Sequence, residues 1–322
     1  MKLCITGGTG TLGQALARHF SWADRIVILS RDEQKQAAMA EAFNTPSNMR
    51  FFLGDVRDHD RLVDAFYGCD AVIHTAALKR VDSIAYNPME VRKTNIQGSA
   101  NVLSAAMASQ VRRVLMISSD KACEPTNVYG VSKAAMEHEA VAFNALSVPR
   151  GLRVACARYG NVLGSRGSVV HTWRRAVAEG RPIPLTSTEA TRFWLTVEQA
   201  VGVVETALNY MQGGEIFVPD LWAMSMVDLA EAIAPGMEVK LIGMRPGGEK
   251  LHETLITGEE APRTIKVGAG NESLWAITPH LHPWRESPWQ GPRYPLPYRP
   301  LTSDTVPRFR VEEMRTMLKN VS

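Results

Sequence analysis

The first half of the chain alternates short apolar runs with stretches whose apolar residues recur at helical spacing. The apolar runs predict strands, and the amphipathic stretches between them predict helices. Strand candidates are residues 2–6, 25–29, 50–54, 71–75, 112–118 and 152–158, and helix candidates include residues 12–20, 60–68 and 99–110. Because strands and helices alternate and the strands are almost wholly apolar, the pattern predicts a parallel sheet with helices on both faces.

After about residue 160 this alternation breaks. We therefore expect an α/β protein: a doubly wound parallel sheet of the Rossmann kind in residues 1–160, and a smaller α/β substrate domain in residues 161–322. Part of residues 192–215 is expected to return to the first domain. Residues 275–307 are rich in Pro, Trp and Tyr, which predicts an irregular segment packed against the body.

Composition and charge narrow the class of protein. The chain has 322 residues, 45% of them hydrophobic and 21% charged, with a formal net charge of +3. This mild excess suits an anionic small molecule, and without a Lys/Arg block nucleic acid is not an expected partner. The four cysteines form no CxxC pair, and Cys4 and Cys156 lie in apolar runs like small core residues, which favours a reducing compartment. With no apolar leader and no run of ~20 apolar residues, we expect a cytoplasmic protein outside the membrane.

A glycine-rich turn, ITGGTGTLG at residues 5–13, follows the first strand and opens the first helix. Gly7, Gly10 and Gly13 have a GxxGxxG spacing, which permits a tight turn and close approach of the backbone to a pyrophosphate. An NTPase phosphate loop would need Lys and then Ser or Thr after the last glycine, but Gln14 and Ala15 stand there. The turn therefore predicts a dinucleotide cofactor.

The end of the second strand, LSRDEQK at residues 29–35, bears on the choice of dinucleotide. An acid here usually binds the ribose of NAD, whereas hydroxyl and cationic donors suit the 2′-phosphate of NADP. The donors come first in this chain and favour NADP, although Asp32 and Glu33 keep NAD open. The predicted cofactor contacts are Gly7, Thr9, Gly10, Thr11, Leu12, Gly13, Ser30, Arg31, Lys35, Asp55, Val56, Ala76, Asn95, Tyr129 and Lys133.

The segment SSDKACEPTNVYGVSK, residues 118–133, holds the candidate catalytic groups. Tyr129 and Lys133 are four residues apart and share one face of a helix. A free tyrosine has a pKa near 10, and we expect the Lys133 ammonium and an oxidised nicotinamide to lower it. Tyr129 could then take a proton from a sugar hydroxyl, with Ser118 or Ser119 bonded to the same oxygen.

These segments resemble the extended short-chain dehydrogenases/reductases. Within them, the chain is similar to the polysaccharide-biosynthesis group of UDP-N-acetylglucosamine 4,6-dehydratases, including the C5-inverting enzymes that begin pseudaminic acid synthesis. The matching segments are TGGTGTLG, SRDEQK, GDVRD, HTAALKRVDSIAYNPMEVRKTNIQG, SSDKACEPTNVYGVSK, RYGNVLGSRGSV, TRFWLTVEQAV, RPGGEKLHETLI and LTSDT. The group commonly has Thr where this chain has Ser119, and the Pro/Trp-rich tail is longer than the resemblance leads us to expect.

The resemblance implies a reaction and the groups that carry it. Tyr129 would deprotonate the C4 hydroxyl of the hexose while C4 hydride passes to NADP. Lys121, made neutral by burial beside Lys133 and the nicotinamide, would take the proton on C5, which the C4 ketone makes acidic. Asp120, protonated, would donate to the C6 hydroxyl as water leaves. Hydride then returns to C6, and Lys121 could control inversion at C5.

The resemblance also implies a nucleotide-sugar site lined by Lys79, Asn161, Arg245 and Glu249, and assembly into a homo-oligomer. The forked donors of arginine suit a diphosphate. His280 and His282 lack the neighbouring ligands that a metal needs, so no metal is expected.

Two other functions stay open. A nucleotide-sugar 4-epimerase or reductase on the same fold would need the serine, Tyr129 and Lys133 but not the Asp120–Lys121 pair. A non-catalytic NADP-binding regulator would be expected to have lost Tyr129 or Lys133, and both are present.

Overall fold

The computed structural model describes residues 1–44, 46–84, 86–165, 167–245, 248–270, 273–280, 284, 289–295, 297–319 and 321. The strands are β1 (Lys2–Thr6), β2 (Arg25–Ser30), β3 (Met49–Leu53), β4 (Ala71–His74), β5 (Arg113–Ile117), β6 (Arg153–Ala157), β7 (Asn161–Val162), β8 (Ile183–Leu185), β9 (Thr191–Leu195), β10 (Ile216–Pro219), β11 (Ala223–Ser225), β12 (Val239–Leu241), β13 (Thr254–Ile256), β14 (Thr264–Val267), β15 (Leu274–Ile277) and β16 (Leu301–Thr302).

The helices alternate with these strands through the first half of the chain. They are α1 (Thr11–His19), α2 (Glu33–Ala42), α3 (His59–Phe66), α4 (Val81–Ile84), α5 (Pro88–Val91), α6 (Gly98–Ala108), α7 (Val128–Ser147), α8 (Val169–Ala178), α9 (Val197–Tyr210), α10 (Met226–Ile233) and α11 (Val311–Lys319). A π-helical turn (Arg92–Gln97) runs directly into α6.

The main sheet has the order β14-β15-β10-β6-β5-β4-β1-β2-β3. Pairing is parallel from β3 to β10, and β15 and β14 extend the edge antiparallel. The order of strand addition reverses between β1 and β4: β2 and β3 lie on one side of β1, and β4 begins the other side. Open α/β sheets bind ligands at this point, at the carboxyl ends of their strands. The predicted α/β Rossmann architecture is therefore confirmed.

The buried apolar residues form two clusters. The larger surrounds the main sheet and includes side chains of α9, such as Val204, and of β10, such as Phe217. The smaller joins α8, α10 and α11 around Trp173, Trp194 and Met314. That these clusters are separate domains divided near residue 160 stays a prediction.

The prediction of an irregular tail is wrong at its start, because Leu274–Ile277 forms β15 of the main sheet. The apolar run LWAI was read as part of the irregular tail because Pro- and Trp-rich residues follow it. Within the described part of the tail, the Trp289 indole donates to Glu215 Oε1 at 2.5 Å, and the Tyr294 ring meets Trp275. Of the two histidines considered as ligands, His282 lies outside the described residues.

The described residues contain neither a membrane-spanning helix nor a cluster of metal ligands. No helix there is long and apolar enough to span a membrane. No group of three or more His, Cys, Asp or Glu side chains is arranged there to hold a metal ion.

Candidate active site

One cleft of about 1490 Å³ opens at the carboxyl ends of the parallel strands and collects most of the predicted site residues. The predicted residues that line it are Gly7, Thr9, Gly10, Thr11, Leu12, Gly13, Ser30, Arg31, Lys35, Asp55, Val56, Ala76, Lys79, Ser119, Lys121, Tyr129, Lys133, Asn161, Arg245 and Glu249. Two predicted residues, Asp120 and Asn95, are not in its wall. The other residues predicted to bind cofactor and substrate therefore face a single space.

The glycine turn packs too tightly for side chains. A Cβ at Gly7, where φ is +68°, would lie 2.8 Å from the backbone of Ala76, and one at Gly13 would lie 2.6 Å from that of Gly8. Gly10 precedes α1, and no side chain caps this helix. Residues of its first turn line the cleft, where the positive end of the helix dipole can stabilise a pyrophosphate, as a dinucleotide site requires.

Asn95 was predicted to contact the cofactor, but the structure buries it behind the cleft. Its Oδ1 accepts a hydrogen bond from Leu78 N, and its Nδ2 donates to Leu78 O and to the Ser132 hydroxyl. Asn95 belongs to the π-helical turn, a distortion common near functional sites. The geometry gives it a supporting position: it fixes the loop that carries Lys79 and the helix that carries Tyr129.

Tyr129 and Lys133 lie on the first turns of α7, which Asn127 caps by accepting a hydrogen bond from Gly130 N. Burial raises the pKa of Tyr129 to about 12, against the lowering effects of the Lys121 charge and a hydrogen bond with Ser119. Lys133 Nζ donates to the Ile117 carbonyl at 2.7 Å, and burial lowers its own pKa to about 8.

The expectation that Lys133 lowers the pKa of Tyr129 is therefore not met. In this structure the cation that acts on Tyr129 is Lys121. The reason is geometric, because Lys133 is held by the end of β5 rather than by the phenol.

Lys121 lies at the centre of a buried ion cluster. Its Nζ is 3.0 Å from both Asp120 oxygens, 3.2 Å from Asn161 Oδ1 and 3.4 Å from Glu253 Oε1. Burial disfavours the Lys121 ammonium, but the two carboxylates outweigh burial and raise the pKa of Lys121. The expectation of a lowered pKa for this lysine is wrong, because it neglected the carboxylates that surround it.

The two carboxyl groups of this cluster respond in opposite directions. Burial raises the pKa of Asp120, and the negative charge of Glu253 raises it further. Burial also disfavours ionised Glu253, but Lys121, Arg192 and Lys250 outweigh burial and lower its pKa. Asp120 is thus the carboxyl that holds a proton more readily, in keeping with the acid role predicted for it.

Asp120 nevertheless has no exposed surface. Its backbone N–H is held by the Tyr159 carbonyl, and its side chain lies beneath Lys121 and Ser119. Direct donation from Asp120 to a sugar in the cleft, as predicted, does not fit this burial. A proton on Asp120 must reach the cleft through one of the two neighbouring side chains.

Sequence reasoning missed Glu253, Arg192 and Lys250, which complete the cluster. Glu253 is 3% exposed and lines the cleft, and its Oε2 accepts no hydrogen bond from the described residues. Arg192 Nη2 binds Glu249 Oε1 at 2.8 Å, and Arg245 approaches the same oxygen. The matched segments TRFW and EKLHE contain these residues. Charged residues next to apolar ones in these segments could have indicated buried site residues.

Ser118 and Ser119 differ in their contacts. Ser119 Oγ donates to Asp120 Oδ1 at 2.8 Å and accepts from Lys121 N. Ser118 also lines the cleft, but its buried hydroxyl has no hydrogen-bond partner in the described part of the chain. Ser119 is therefore the serine that contacts the Asp120–Lys121 pair.

The Rossmann sheet carries a glycine turn and a helix with Tyr129 and Lys133, and charged side chains from the second half of the chain line the same cleft. This combination defines an extended short-chain dehydrogenase/reductase. Residues 3–270 match the model of a family described as polysaccharide biosynthesis protein, and the chain belongs to that family.

Its relatives include an inverting UDP-N-acetylglucosamine 4,6-dehydratase of Campylobacter jejuni, 43% identical over 285 residues, which cover 87% of this chain and 83% of that protein. A UDP-glucose 4-epimerase of Rickettsia massiliae is 39% identical over 80% of this chain and 78% of that protein. The X-ray structure of Pen from Bacillus thuringiensis, 30% identical, superposes with a TM-score of 0.90 over 99% of this chain and 97% of that chain.

These relatives confirm the predicted family and the predicted enzyme type, a hydro-lyase of the nucleotide-sugar 4,6-dehydratase type. The names of the Campylobacter and Rickettsia relatives specify UDP-sugars as their substrates.

Proposed function

We propose that this chain is an NADP-dependent dehydratase that converts UDP-N-acetylglucosamine into a UDP-2-acetamido-2,6-dideoxy-4-keto-hexose with inversion at C5. The observation that carries the proposal is the position of Lys121. Its Nζ lies between the carboxylates of Asp120 and Glu253 and faces the cleft that also holds Tyr129 and the glycine turn. Loss of water requires an acid and a base beside the dinucleotide site, whereas a simple oxidation does not require such a cluster.

The chemistry divides between the cofactor and the side chains. When bound, the dinucleotide takes a hydride from C4 of the sugar and later returns it to C6, so that it is not consumed. Tyr129 Oη takes the C4 hydroxyl proton. The C4 ketone makes the C5 proton acidic, and Lys121 Nζ is the base that removes it.

Lys121 can act as a base only after its ammonium has lost a proton. Glu253 Oε1 is 3.4 Å from Nζ and belongs to an ionised carboxylate, so it can take that proton. Because Glu253 lines the cleft whereas Asp120 does not, Glu253 can then protonate the departing C6 hydroxyl. Inversion at C5 would follow if the C5 proton returns to the opposite face, and the inverting Campylobacter relative supports that outcome.

Contacts around α2 favour NADP over NAD. Asp32 Oδ1 accepts the N-cap hydrogen bond of α2 from Lys35 N at 3.0 Å, and Oδ2 pairs with the Lys35 ammonium. The acid that could bind the ribose of NAD is therefore turned toward its own helix. Arg31 is half exposed on the wall of the cleft, where its guanidinium can meet a 2′-phosphate.

Cationic side chains on the substrate side suit a nucleotide diphosphate. Arg245 and Lys79 line this part of the cleft, and the buried Arg192 stands beside Glu249. By resemblance, Asn161 would also contact the sugar, and it already accepts a hydrogen bond from Lys121.

A 4-epimerase is the second candidate, and the Rickettsia relative named UDP-glucose 4-epimerase favours it. Epimerisation requires a return of hydride to the other face of C4 and no acid for C6. In an epimerase, the buried Asp120–Lys121–Glu253 cluster would have no catalytic role. The intact Tyr129 and Lys133 argue against a regulator without catalysis.

Proton NMR of UDP-N-acetylglucosamine incubated in D₂O with the purified protein and NADP separates these functions. We expect loss of water, a new C6 methyl signal and deuterium at C5, with coupling constants that report the inverted centre. Tyr129→Phe should lower the rate by about 10²- to 10⁴-fold. A product that keeps its C6 hydroxyl and differs only at C4 would establish the epimerase instead, and an unchanged sugar would contradict the proposed substrate.

Assembly into a homo-oligomer is implied by the resemblance, and a cytoplasmic location is expected from the sequence; we retain both as parts of the proposal. Light scattering on the purified protein and fractionation of the producing cells test them.

A further inference from the structure

The segment LTSDT, residues 301–305, is one of those that carry the family resemblance, yet none of its residues lines the cleft. It follows the Pro- and Trp-rich tail, and its strand β16 pairs antiparallel with β13. The Thr254–Thr302 pair of this ladder brings Ser303 beside Glu253. Ser303 is 0% exposed, so the protein itself must supply the hydrogen-bond partners of its hydroxyl.

The carboxylate of Glu253 is held by charge rather than by short hydrogen bonds. Its Oε1 lies 3.4 Å from Lys121 Nζ and 3.7 Å from Arg192 Nε, and its Oε2 lies 3.6 Å from Lys250 Nζ. These distances exceed the roughly 2.7–3.2 Å of a well-formed hydrogen bond. The separation between Glu253 and Lys121 therefore depends on where the backbone of Glu253 is held.

Both backbone polar groups of Glu253 bond to Ser303. The Glu253 N–H donates to Ser303 Oγ at 2.9 Å, and the Glu253 carbonyl accepts a hydrogen bond from Ser303 N at 2.9 Å. Because both residues are buried, the Glu253 backbone relies on these two bonds. Ser303 thus fixes the residue that carries the carboxylate.

The same hydroxyl reaches the strand that carries Arg192. Ser303 Oγ is 2.7 Å from Thr191 Oγ1 and donates to the Thr191 carbonyl at 3.2 Å. That carbonyl also accepts a hydrogen bond from Arg192 Nη1 at 2.7 Å. A serine oxygen has one hydrogen and two lone pairs, so a single hydroxyl can make all of these bonds. It connects β9 to the segment that ends in Glu253.

We propose that Ser303 is a positioning residue of the active site, which holds Glu253 within reach of Lys121 and ties it to the strand that carries Arg192. The proposal deepens the proposed function and rests on it, because Glu253 is the proton acceptor and donor of the dehydration step. Ser303 lies outside the cleft wall and acts only through Glu253. The segment LTSDT is then the part of the C-terminal region that completes the site.

The position of Glu253 matters because its charge acts on its neighbours. The charged groups around it are Lys121 and Asp120 after β5, Arg192 in β9 and Lys250 in its own segment. The Glu253 charge raises the pKa of Asp120 and that of Lys121. When Glu253 moves away from this pair, both pKa values fall.

Ser303→Ala removes the hydroxyl and leaves the backbone of the segment intact. With UDP-N-acetylglucosamine and NADP, we expect kcat to fall about 10- to 100-fold, because the proton acceptor is misplaced. Both limbs of the kcat profile should move to lower pH. In a Glu253→Gln background, Ser303→Ala should move the limbs no further, since the charge that it positions is gone.

Thr264→Val is the matched control. Thr264 is also 0% exposed, and its hydroxyl donates to the Glu260 carbonyl outside the cleft. This variant should lower the melting temperature and leave both pH limbs in place. Wild-type limbs in Ser303→Ala would overturn the proposal, because loss of stability alone does not move them. Failure of the wild type to dehydrate UDP-N-acetylglucosamine would count against the proposed function instead.

Hydrogen exchange tests the anchor without substrate. The Glu253 amide is buried and bonded to Ser303 Oγ, so it should exchange slowly in the wild type. Ser303→Ala should speed exchange at Glu253 about 10-fold or more, and Thr264→Val should not. Unchanged exchange in Ser303→Ala would overturn the proposal whatever the substrate of the protein is.

Ser303→Cys provides a second variant of nearly the same volume in case Ser303→Ala does not fold. A thiol is a weaker donor and acceptor than a hydroxyl, so both the exchange rate and the pH limbs should change in the same direction but by less. A Ser303→Cys protein with the wild-type limbs and the wild-type exchange rate would also overturn the proposal.

Discussion

Lys121 Nζ and Glu253 Oε1 lie 3.4 Å apart, although one follows β5 and the other immediately precedes β13. Through this contact the second half of the chain sets the charge of a lysine in the first half. Glu253 raises the pKa of Lys121 and that of Asp120, so one carboxylate acts on both members of the neighbouring pair.

The pH dependence of turnover should reveal this contact. The enzyme is active when Asp120 is ionised and Lys121 is protonated. Activity therefore falls when Asp120 gains a proton at low pH or Lys121 loses one at high pH. Glu253→Gln removes the negative charge that raises both pKa values. We therefore expect the whole bell-shaped kcat profile to move to lower pH, with kcat reduced by about 10- to 100-fold at its maximum.

Glu215→Gln is the matched control, since Glu215 is also a buried carboxylate but lies outside the cleft, bonded to Gly213 N and Trp289. It should change the melting temperature and leave both limbs of the profile in place. A Glu253→Gln profile with the wild-type limbs would show that Glu253 has no influence on the pair.

The glycine turn should not tolerate a methyl group at Gly13. A Cβ there would lie 2.6 Å from the backbone of Gly8, so α1 must move away from the turn. We expect Gly13→Ala to destabilise the protein by about 1–3 kcal/mol and to abolish measurable dinucleotide binding. Urea unfolding and calorimetric titration with NADP measure the two effects.

Gly202→Ala provides the comparison, because Gly202 lies within α9 and a Cβ there meets nothing within 4 Å. Alanine should stabilise this helix by about 0.5–1 kcal/mol and leave cofactor affinity unchanged. Equal cofactor affinities for the two variants would contradict the close packing of the turn.

Lys133 should impose a pH-dependent cost on stability. Burial lowers its pKa to about 8 in the folded protein, against about 10.4 in an unfolded chain. Between these values the unfolded state binds more protons, so the free energy of unfolding rises with pH. Relative to wild type, Lys133→Met should gain most stability below pH 8, by an amount on the order of 3 kcal/mol, and the gain should shrink toward pH 10.

Chemical unfolding of both proteins across this range gives the difference directly, and other titrating groups cancel between them. The lost hydrogen bond to the Ile117 carbonyl offsets the gain equally at each pH. A difference that does not change with pH would show that Lys133 has an ordinary pKa.

Arg31 should discriminate between the two dinucleotides. Arg31→Ala removes the half-exposed guanidinium at the end of β2, so NADP affinity should fall about 10-fold or more while NAD affinity changes by less than about 3-fold. Arg50→Ala, which removes an exposed cation from β3 outside the cleft, should affect neither. Equal losses for NADP and NAD would contradict the assignment of the 2′-phosphate to Arg31.

Local signals in the sequence were enough for the sheet and for the cofactor half of the cleft. The glycine spacing and the four-residue interval between Tyr129 and Lys133 are properties of single elements. The environment of Lys121 depends instead on Glu253, which reaches it only through tertiary packing. Its pKa was therefore predicted in the wrong direction, and no spacing in the sequence could show that Asp120 is wholly covered.

Two glycines hold the loop from Lys121 to Asn127. A Cβ at Gly130 would lie 2.3 Å from the Lys121 carbonyl oxygen, and one at Gly248 would lie 2.2 Å from the Thr126 carbonyl oxygen. The loop thus meets both neighbours backbone to backbone. The Asn127 side chain ties the loop to the same two neighbours, because its Nδ2 donates to the Gly248 carbonyl and its Oδ1 accepts from Gly130 N. A methyl group at either glycine would therefore displace the loop that carries Lys121, however well the rest of the cleft is preserved.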